Sequence, residues 1–599
     1  MKYLFFMFWF IAANVTAQNS LVNYTENLPA TDALGRKLPM TGAIKKDRYV
    51  GIFYWPWHYQ YRSTNNKPLN LSAYLKANPT LKSNPNARVS YDDPSWPTDR
   101  VYFWGEPLFG FYTSTDKWVL RKHAEMLADA GVDVIFFDCT NGDQVWKPAY
   151  TALCDVFLEA RKDGVRTPQI AFVTALGPVS GGQNAINQLY GQLYKPGLYK
   201  ELWFYWKGKP LLLSYPDLMI EVPGNPTGTQ LHQEMKNFFT FRPVQPDYQK
   251  GPARPDQWGW LEIYPQHKYV KQDKGGYEEM PVSVAQNWSK ERGLTAMNAP
   301  NVFGRSYTNA KGHDKRANAS VYGLNFQEQW DQALKHDVDM IFITGWNEWV
   351  AGRHREWGKQ SNAFPDQYNS DNSRDIEPMK GGHGDNYYYQ MVANIRRFKG
   401  VPGEQAASPR KTIKIDGVFS DWSSIKPNFK AHKGSTIHRD SPGFQSYYYT
   451  NKSGRNDIIG TKVARDDKYV YLYVTTAEKI TPHTNTNWMT LFIDIDRRKT
   501  TGWQGYDLAV NRKQVGQTAI VEKKVNGSAW KKAAIVEYAY KGTGLELRIP
   551  RQLLENGQKN LDFEFKWSDN RQKEEDIMDF WVNGDVAPAG RYNYHYKAN

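Results

Sequence analysis

Short apolar runs that alternate with helical segments constrain the fold of this chain most strongly. Eight such runs precede residue 350, each bounded by Gly, Pro or polar residues, as is typical of strands buried on both faces. They are Tyr49–Tyr54, Val132–Phe137, Gln169–Thr174, Pro210–Ser214, Phe238–Phe241, Gly259–Ile263, Pro281–Ala285 and Asp339–Thr344. Helical periodicity fills several gaps, at Lys117–Ala130, Tyr150–Lys162, Ala185–Tyr194, Gln327–Lys335 and Tyr387–Phe398. The alternation predicts a (β/α)8 TIM barrel. An open α/β sheet is the alternative, because the stretch 243–280 is rich in Pro, Gly and charge.

The pattern changes after residue 411. Residues 400–411, with Gly, Pro, Ser and charge, are typical of a linker. Strands then follow without intervening helices, and Lys468–Thr475 and Trp488–Ile495 show the alternation of half-buried strands. We therefore predict an N-terminal segment at 18–44, a catalytic barrel domain at 45–399 and an all-β sandwich at 412–599.

The first seventeen residues have the pattern of a secretory signal peptide. Lys2 precedes the apolar stretch Tyr3–Ala13, and Val15-Thr16-Ala17 fits a cleavage site of small residues. The apolar stretch is too short to cross a bilayer, and no cysteine for a lipid anchor lies near the cut. We expect a secreted protein, periplasmic or extracellular, without stable membrane insertion.

The amino-acid composition limits the classes of ligand that the protein is expected to bind. The 22 Trp, 38 Tyr and 28 Phe suit carbohydrate binding, although a large core would also use them. The net charge of +14 comes without any basic run interleaved with aromatics, so no nucleic-acid partner is expected. Cys139 and Cys154 have no metal-ligand spacing, and two buried free thiols are favoured over a disulfide.

Candidate site residues follow from the rule that barrel enzymes place catalytic groups past the C-terminal ends of strands. The segment Trp346-Asn-Glu-Trp349 sets a carboxylate and an amide between two indoles, a combination suited to gripping and cleaving sugars. We predict Glu348 and Glu262 as catalytic carboxyls, since glycoside hydrolysis needs two. The predicted substrate-binding residues are Trp55, Trp57, His58, Asp138, Asn141, Trp346, Asn347 and Trp349, with Arg242 and Gln286-Asn287 at other strand ends. His58 as a packing residue and Asp138 as a helix cap are the structural alternatives.

Four motifs of this chain resemble the endo-α-mannosidase family, glycoside hydrolase family 99, and its bacterial relatives. They are Gly51-Ile-Phe-Tyr-Trp-Pro-Trp-His58, Gly131-Val-Asp-Val-Ile-Phe-Phe-Asp138, Trp346-Asn-Glu-Trp349 and Asp375-Ile-Glu-Pro378. The resemblance implies a (β/α)8 enzyme that cleaves α-linked glycans, often internally. It also implies that Glu348 acts on the substrate 2-hydroxyl, with a second glutamate three residues later as acid/base.

This chain departs from the family pattern at that second position, which is Ala351. Glu348 is therefore expected to be the base or nucleophile, and the proton donor must come from elsewhere. The candidates are Glu262, Glu356, Asp138 and Glu377, and a polar insertion through Arg353–Arg374 separates the two motifs.

The C-terminal part resembles carbohydrate-binding module family 9. The similar motifs are Ile415-Asp-Gly417, Asp466-Asp-Lys-Tyr-Val-Tyr471 and Leu491-Phe-Ile-Asp-Ile-Asp496, followed by Gly505-Tyr-Asp507. That resemblance implies a structural calcium ion, for which Asp494, Asp496 and Asp507 offer suitable oxygen ligands. No cofactor is required for the predicted reaction.

The sequence thus predicts an exported glycoside hydrolase acting on a complex polysaccharide or oligosaccharide, at internal or terminal bonds. The alternative is a non-catalytic glycan-binding protein on a degenerate barrel, which the alanine at position 351 keeps open. A glycosyltransferase is disfavoured, because export would remove the chain from nucleotide-sugar donors.

Overall fold

A computed structural model describes residues 24–59, 66–512, 516, 518–525, 529–555, 557 and 560–598. The predicted signal peptide, residues 1–17, lies outside the described residues. Within them, no helix has the length and apolar character needed to cross a membrane.

Seven of the eight predicted strands overlap an observed strand by two residues or more, and the sixth, predicted at Gly259–Ile263, shares only Gly259 with the observed strand. The bounds are β1 Tyr49–Tyr54, β2 Val134–Asp138, β3 Gln169–Val173, β4 Lys209–Leu213, β5 Thr240–Phe241, β6 Trp258–Gly259, β7 Tyr277–Ser283 and β8 Val338–Thr344. The fifth and sixth are only two residues long, in the region where Pro, Gly and charge interrupt the apolar pattern.

Seven of these strands pair in parallel in the order β7-β8-β1-β2-β3-β4-β5. The short strands Tyr269–Lys271 and Tyr205–Trp206 pair antiparallel with β7 and β4 and complete a nine-stranded sheet. Ile52 of β1, for example, lies beside Ile343 of β8 and Ile135 of β2. Among the described residues, β6 pairs only with the two-residue strand Val244–Gln245, so the ladder stays open between β5 and β7. The expected closed barrel is therefore not shown, and the observed fold is a mixed α/β fold around a curled sheet.

The curl encloses an aromatic core. Phe53, Phe136, Trp258 and Phe342 come from four different strands and belong to one buried cluster. The rings of Phe136 and Phe342 have centroids 4.4 Å apart. A Cβ atom on Gly51 would lie 2.1 Å from the Phe136 ring, so only glycine fits at this position in β1.

Helices cover the outer face of the sheet. Their bounds are α1 Lys117–Ala130, α2 Lys147–Lys162, α3 Ser180–Leu189, α4 Pro226–Phe238, α5 Leu324–Ala333 and α6 Asn386–Lys399. Both ends of helix α1 are fixed by local residues. The carboxylate of Asp116 accepts from the N–H groups of Trp118 and Val119, and Gly131 ends the helix with φ 81°. Helix α4 was not predicted, because its apolar positions are sparse.

The C-terminal residues form a large β-rich part, an antiparallel sheet of eleven strands. In spatial order the main path runs Asn428–Lys430, Ile458–Arg465, Tyr469–Thr476, Gly544–Pro550, Lys531–Lys541, Thr518–Lys523, Leu508–Val510, Thr490–Asp494, Leu561–Asp569 and Asp585–Ala587, and Tyr594–Ala598 pairs with Leu561–Asp569. The indole N–H of Trp567 donates to the Thr461 hydroxyl at 3.1 Å, so distant strands of the sheet face each other.

The two parts of the chain are in direct contact. The Phe444 N–H donates to the Phe111 carbonyl at 2.6 Å, and the buried Arg439 forms an ion pair with Asp116 at 2.6 Å. Residues 402–411, within the predicted linker, carry no regular secondary structure. Both cysteines are buried and free, as predicted.

Candidate functional site

The candidate site begins where β8 ends. Gly345 follows Thr344 with φ 110°, and a Cβ atom there would lie 2.2 Å from the carbonyl oxygen of Arg374. Only glycine tolerates this turn, which leads the chain from β8 into the residues predicted to bind sugar.

Asn347 joins the ends of β8 and β1. Its side-chain oxygen accepts from the Trp55 N–H at 2.8 Å, and its amide nitrogen donates to the Trp55 carbonyl at 3.1 Å. Both ends of the buried amide are thus occupied by backbone. In this structure Asn347 positions the strand ends, and its contact with a sugar stays a prediction.

Glu348 is held by two donors on one carboxylate oxygen. The Gln367 amide and the Arg374 guanidinium each donate to Oε2 at 3.1 Å. Only 11% of the side chain is exposed, and burial raises the pKa of Glu348 well above its usual value. Arg374 opposes this shift, whereas the charges of Asp366 and Asp375 add to it.

Arg374 connects Glu348 to a second carboxyl. The same guanidinium nitrogen that donates to Glu348 also donates to Asp366 at 3.1 Å, and another nitrogen reaches the side-chain oxygen of Asn287 at 3.3 Å. The two carboxylate oxygens are therefore at most about 6 Å apart. Asp366 is 47% exposed, so it faces solvent while Glu348 lies behind it.

Two further carboxyls, those of Asp375 and Asp138, lie near Glu348 and Asp366. Asp375 accepts from the backbone N–H of Glu348 at 2.6 Å, and burial raises its pKa to about 7. Burial also raises the pKa of Asp138 to about 6, and it senses the charges of Asp366 and Arg374. Asp138 accepts from the Thr140 N–H at 2.9 Å within the loop after β2, and the next helix, which begins at Lys147, has no side-chain cap, so the helix-cap alternative for Asp138 is not observed.

The structure assigns Glu262 to a separate network. Its carboxylate accepts from the His267 N–H at 2.6 Å, pairs with the His267 ring at 3.0 Å and accepts from the Tyr269 hydroxyl at 2.7 Å. The side chain is fully buried. These hydrogen bonds hold the segment after β6 and separate Glu262 from the surroundings of Glu348, and the catalytic role of Glu262 stays a prediction.

Both indoles beside Glu348 point into the protein. Trp346 and Trp349 are 0% exposed. Trp346 packs edge-on against His123 at 5.5 Å, and Trp349 stacks on Trp104 at 4.7 Å. Both indoles therefore act as packing residues in this structure, and their contact with a sugar stays a prediction.

The predicted residues after β1 form an aromatic cluster. Trp55 stacks on the half-buried Trp57 at 5.2 Å, and Trp57 meets Trp146 at 5.2 Å. His58 is buried beside Trp55, and burial lowers its pKa to about 3, so the imidazole is neutral. Asn141 is exposed in the loop after β2 and donates to the Thr140 hydroxyl at 3.4 Å.

The other candidates for the proton donor lie elsewhere. Glu377 is fully buried and accepts from the Tyr112 hydroxyl at 2.7 Å and the Trp349 indole at 2.5 Å. Glu356 is exposed on the hairpin formed by His354–Trp357 and Gln360–Ala363. Arg242, which we predict at the end of the fifth strand and not as a proton donor, forms an ion pair with Glu278 at 2.8 Å.

Sequence reasoning missed Gln367 and Arg374, which donate to the Glu348 carboxylate, and Asp366, which shares the Arg374 guanidinium with it. All three lie in the polar insertion 353–374, which separates the two family motifs in the sequence. The available signal was the arginine directly before Asp375, at the end of that insertion.

The three aspartates that we predict as cation ligands lie close together in the β-rich part. Ligand atoms of Asp494, Asp496 and Asp507 lie within 4.8 Å of one another. Burial and neighbouring carboxylates raise the pKa of Asp494 to about 8, and burial raises that of Asp507 to about 6. Hard oxygen ligands that repel one another in this way fit a calcium ion, which would relieve the repulsion.

No protein-family model matches the chain, and no curated protein matches it. Two solved structures of the GH99 endo-α-mannosidase from Bacteroides thetaiotaomicron, one in complex with Bis-Tris propane, are similar at 14% identity and a TM-score of 0.30. Each match covers 59% of this chain and 98% of that protein. A protein described as a glycoside hydrolase matches at 9% identity and a TM-score of 0.16, over 90% of this chain and 99% of its own. These structural neighbours are glycoside hydrolases, but the likeness is too distant to carry an argument about activity. None of them supports the resemblance to carbohydrate-binding module family 9.

Proposed function

We propose that the protein is a glycoside hydrolase that cleaves a glycosidic bond within a polysaccharide, using Glu348 and Asp366 as its two carboxyls. The observation that carries the proposal is the buried Arg374, which donates to both carboxyls at 3.1 Å. Glycosidic bond cleavage uses two neighbouring carboxyls, and the shared guanidinium makes Glu348 and Asp366 neighbours.

The environments of the two carboxyls suggest their roles. One guanidinium can balance one carboxylate, so a proton is favoured on the carboxyl that is harder to hydrate. Burial raises the pKa of Glu348, which makes it the general acid that protonates the leaving oxygen. Asp366 reaches solvent, keeps its hydration and acts as nucleophile or base. This assignment reverses the role that the sequence suggested for Glu348.

The spacing also favours one stereochemical outcome. Inverting enzymes separate their carboxyls by about 6.5–9.5 Å to admit a water molecule, whereas retaining enzymes use about 5–5.5 Å. The oxygens of Glu348 and Asp366 are at most about 6 Å apart across Arg374, so we propose retention.

Two properties of the chain belong to the same proposal. The signal-peptide pattern at 1–17 supports export to the periplasm or the extracellular space, where polysaccharides are available. Asp494, Asp496 and Asp507 would hold a structural calcium ion in the β-rich part, away from the reacting carboxyls.

The test is product release from a panel of neutral and acidic polysaccharides, followed by NMR of the anomer formed first. Wild type should release oligosaccharides, and Glu348→Gln and Asp366→Asn should each lose most of that activity. Glu356→Gln is the matched control, because Glu356 is an exposed carboxyl of the same insertion. Wild type that binds a glycan but releases nothing would instead support the non-catalytic alternative. Full activity of Asp366→Asn would refute the pairing alone.

A further inference from the structure

A second concave site lies between the two parts of the chain. The cleft has a volume of about 600 Å³, within the range of ligand sites. One wall is the loop Leu108–Gly110, and the other is the hairpin of Arg439–Pro442 and Tyr448–Asn451 together with residues 570–583. It shares no lining residue with the surroundings of Glu348.

The cleft is basic. Four cationic side chains line it, and among the described lining residues none is an aspartate or glutamate. Arg439 is neutralised by Asp116, and Lys380 by Glu106 at 2.6 Å. Lys452 and Lys573 are exposed, and neither has an ion pair among the described residues. Two positive charges therefore remain to meet an anionic ligand.

The polar lining suits sugar hydroxyls. The exposed side chains of Thr450 and Gln572 line the cleft together with the two lysines. The Gln572 amide nitrogen donates to Asn570 at 3.1 Å, and its side-chain oxygen adds an acceptor to the lining. Neutral donors and acceptors between two cations match a ligand that has both hydroxyls and anionic groups.

The aromatic residues of the cleft argue against nucleic acid. Phe109 and Trp118 are buried, and the guanidinium of Arg439 covers the ring of Tyr449 at 4.2 Å. No open aromatic face of the described lining is left for base stacking, on which single-strand binding depends.

The cleft is close to the proposed catalytic carboxyls. Asp375 accepts from the Glu348 backbone, and Lys380 lines the cleft five residues later, so their Cα atoms are at most about 18 Å apart. We propose that this cleft binds an anionic stretch of a polysaccharide, one that carries uronate carboxylates or sulfate esters. Binding there does not depend on cleavage at Glu348.

The test compares matched ligand pairs on the full chain: oligogalacturonate against its methyl ester, and dextran sulfate against dextran. Affinity is measured by calorimetry at about 0.02 M and 0.5 M salt, because exposed charge pairs are screened at the higher ionic strength. At least one anionic ligand should bind at low salt and bind more weakly at high salt, whereas its neutral partner should not bind in the cleft. The ligand that binds distinguishes carboxylate from sulfate.

The variant Lys452→Ala/Lys573→Ala should weaken anionic binding about tenfold, as expected for the loss of two exposed charge pairs. Lys531→Ala/Lys532→Ala is the matched control, because these exposed lysines lie on a strand outside the cleft and remove the same charge. Equal losses in both variants, or equal binding of charged and neutral ligands, would overturn the proposal. So would a single-stranded oligonucleotide that binds as tightly as the glycan and depends on the same lysines.

Discussion

Replacing Glu348 by glutamine tests the proposed chemistry most directly. Glutamine keeps the shape of the side chain but cannot donate a carboxyl proton. A positioned general acid contributes about 10²–10⁴ in rate, or about 3–5 kcal/mol of transition-state stabilisation. We expect Glu348→Gln to lower kcat by that factor on a polysaccharide, and to remove the alkaline limb of the pH profile that the raised pKa of Glu348 creates.

The stability of the same variant should move in the opposite direction. The pKa of Glu348 is raised in the folded protein, so its contribution to stability is present below the unfolded pKa of about 4.3. It is lost as pH rises from there through the folded pKa. Glutamine has no proton to lose, so the unfolding midpoint of Glu348→Gln relative to wild type should rise between about pH 4 and pH 8.

Glu262→Gln is the informative contrast. Its carboxylate accepts three hydrogen bonds, from the His267 backbone, the His267 ring and the Tyr269 hydroxyl. An amide can satisfy only part of this set, and the loss should destabilise the fold by about 2–3 kcal/mol. Activity per folded molecule should change little.

The assays are release of reducing ends and thermal unfolding, both followed from about pH 4 to pH 8. The general-acid role of Glu348 is refuted if Glu348→Gln keeps activity within tenfold of wild type. It is also refuted if that variant is destabilised at pH 8 as strongly as Glu262→Gln, since Glu348 would then be a structural carboxyl like Glu262.

Three further predictions concern other parts of the molecule. Asp366→Asn should reduce kcat at least a hundredfold with an unchanged unfolding midpoint, because the side chain is 47% exposed; equal losses of activity and stability would contradict its role. Asn347→Ala should lower stability by about 2 kcal/mol, measured by denaturant unfolding, because two backbone groups of Trp55 lose their partners. Calcium should raise the unfolding midpoint of wild type but not of Asp507→Asn, and equal shifts in both would exclude the carboxyl cluster as the site.

Much of the fold could be predicted because its signals are local. Strand β1 was predicted with its observed bounds, since an apolar run between polar residues indicates a strand wherever it pairs. Helix α1 was also predicted with its observed bounds, because Asp116 and Gly131 mark its ends. Closure of the sheet was not predictable in this way, because β6 is only two residues long and its pairing depends on chain geometry between β5 and β7.

The candidate site also has features that follow from local sequence and features that follow from long-range contacts. The sequence by itself determined that Glu348 follows a buried strand behind a glycine, which made it a candidate. It could not determine the direction of the flanking indoles, because that follows from the turn at Gly345 and from packing partners such as Trp104. Nor could the sequence identify Arg374 as the partner of Glu348, because Arg374 lies 26 positions away along the chain. Only the tertiary structure decided that this insertion folds back onto Glu348, because burial and a shared guanidinium arise when distant segments pack together, and they set which carboxyl keeps its proton.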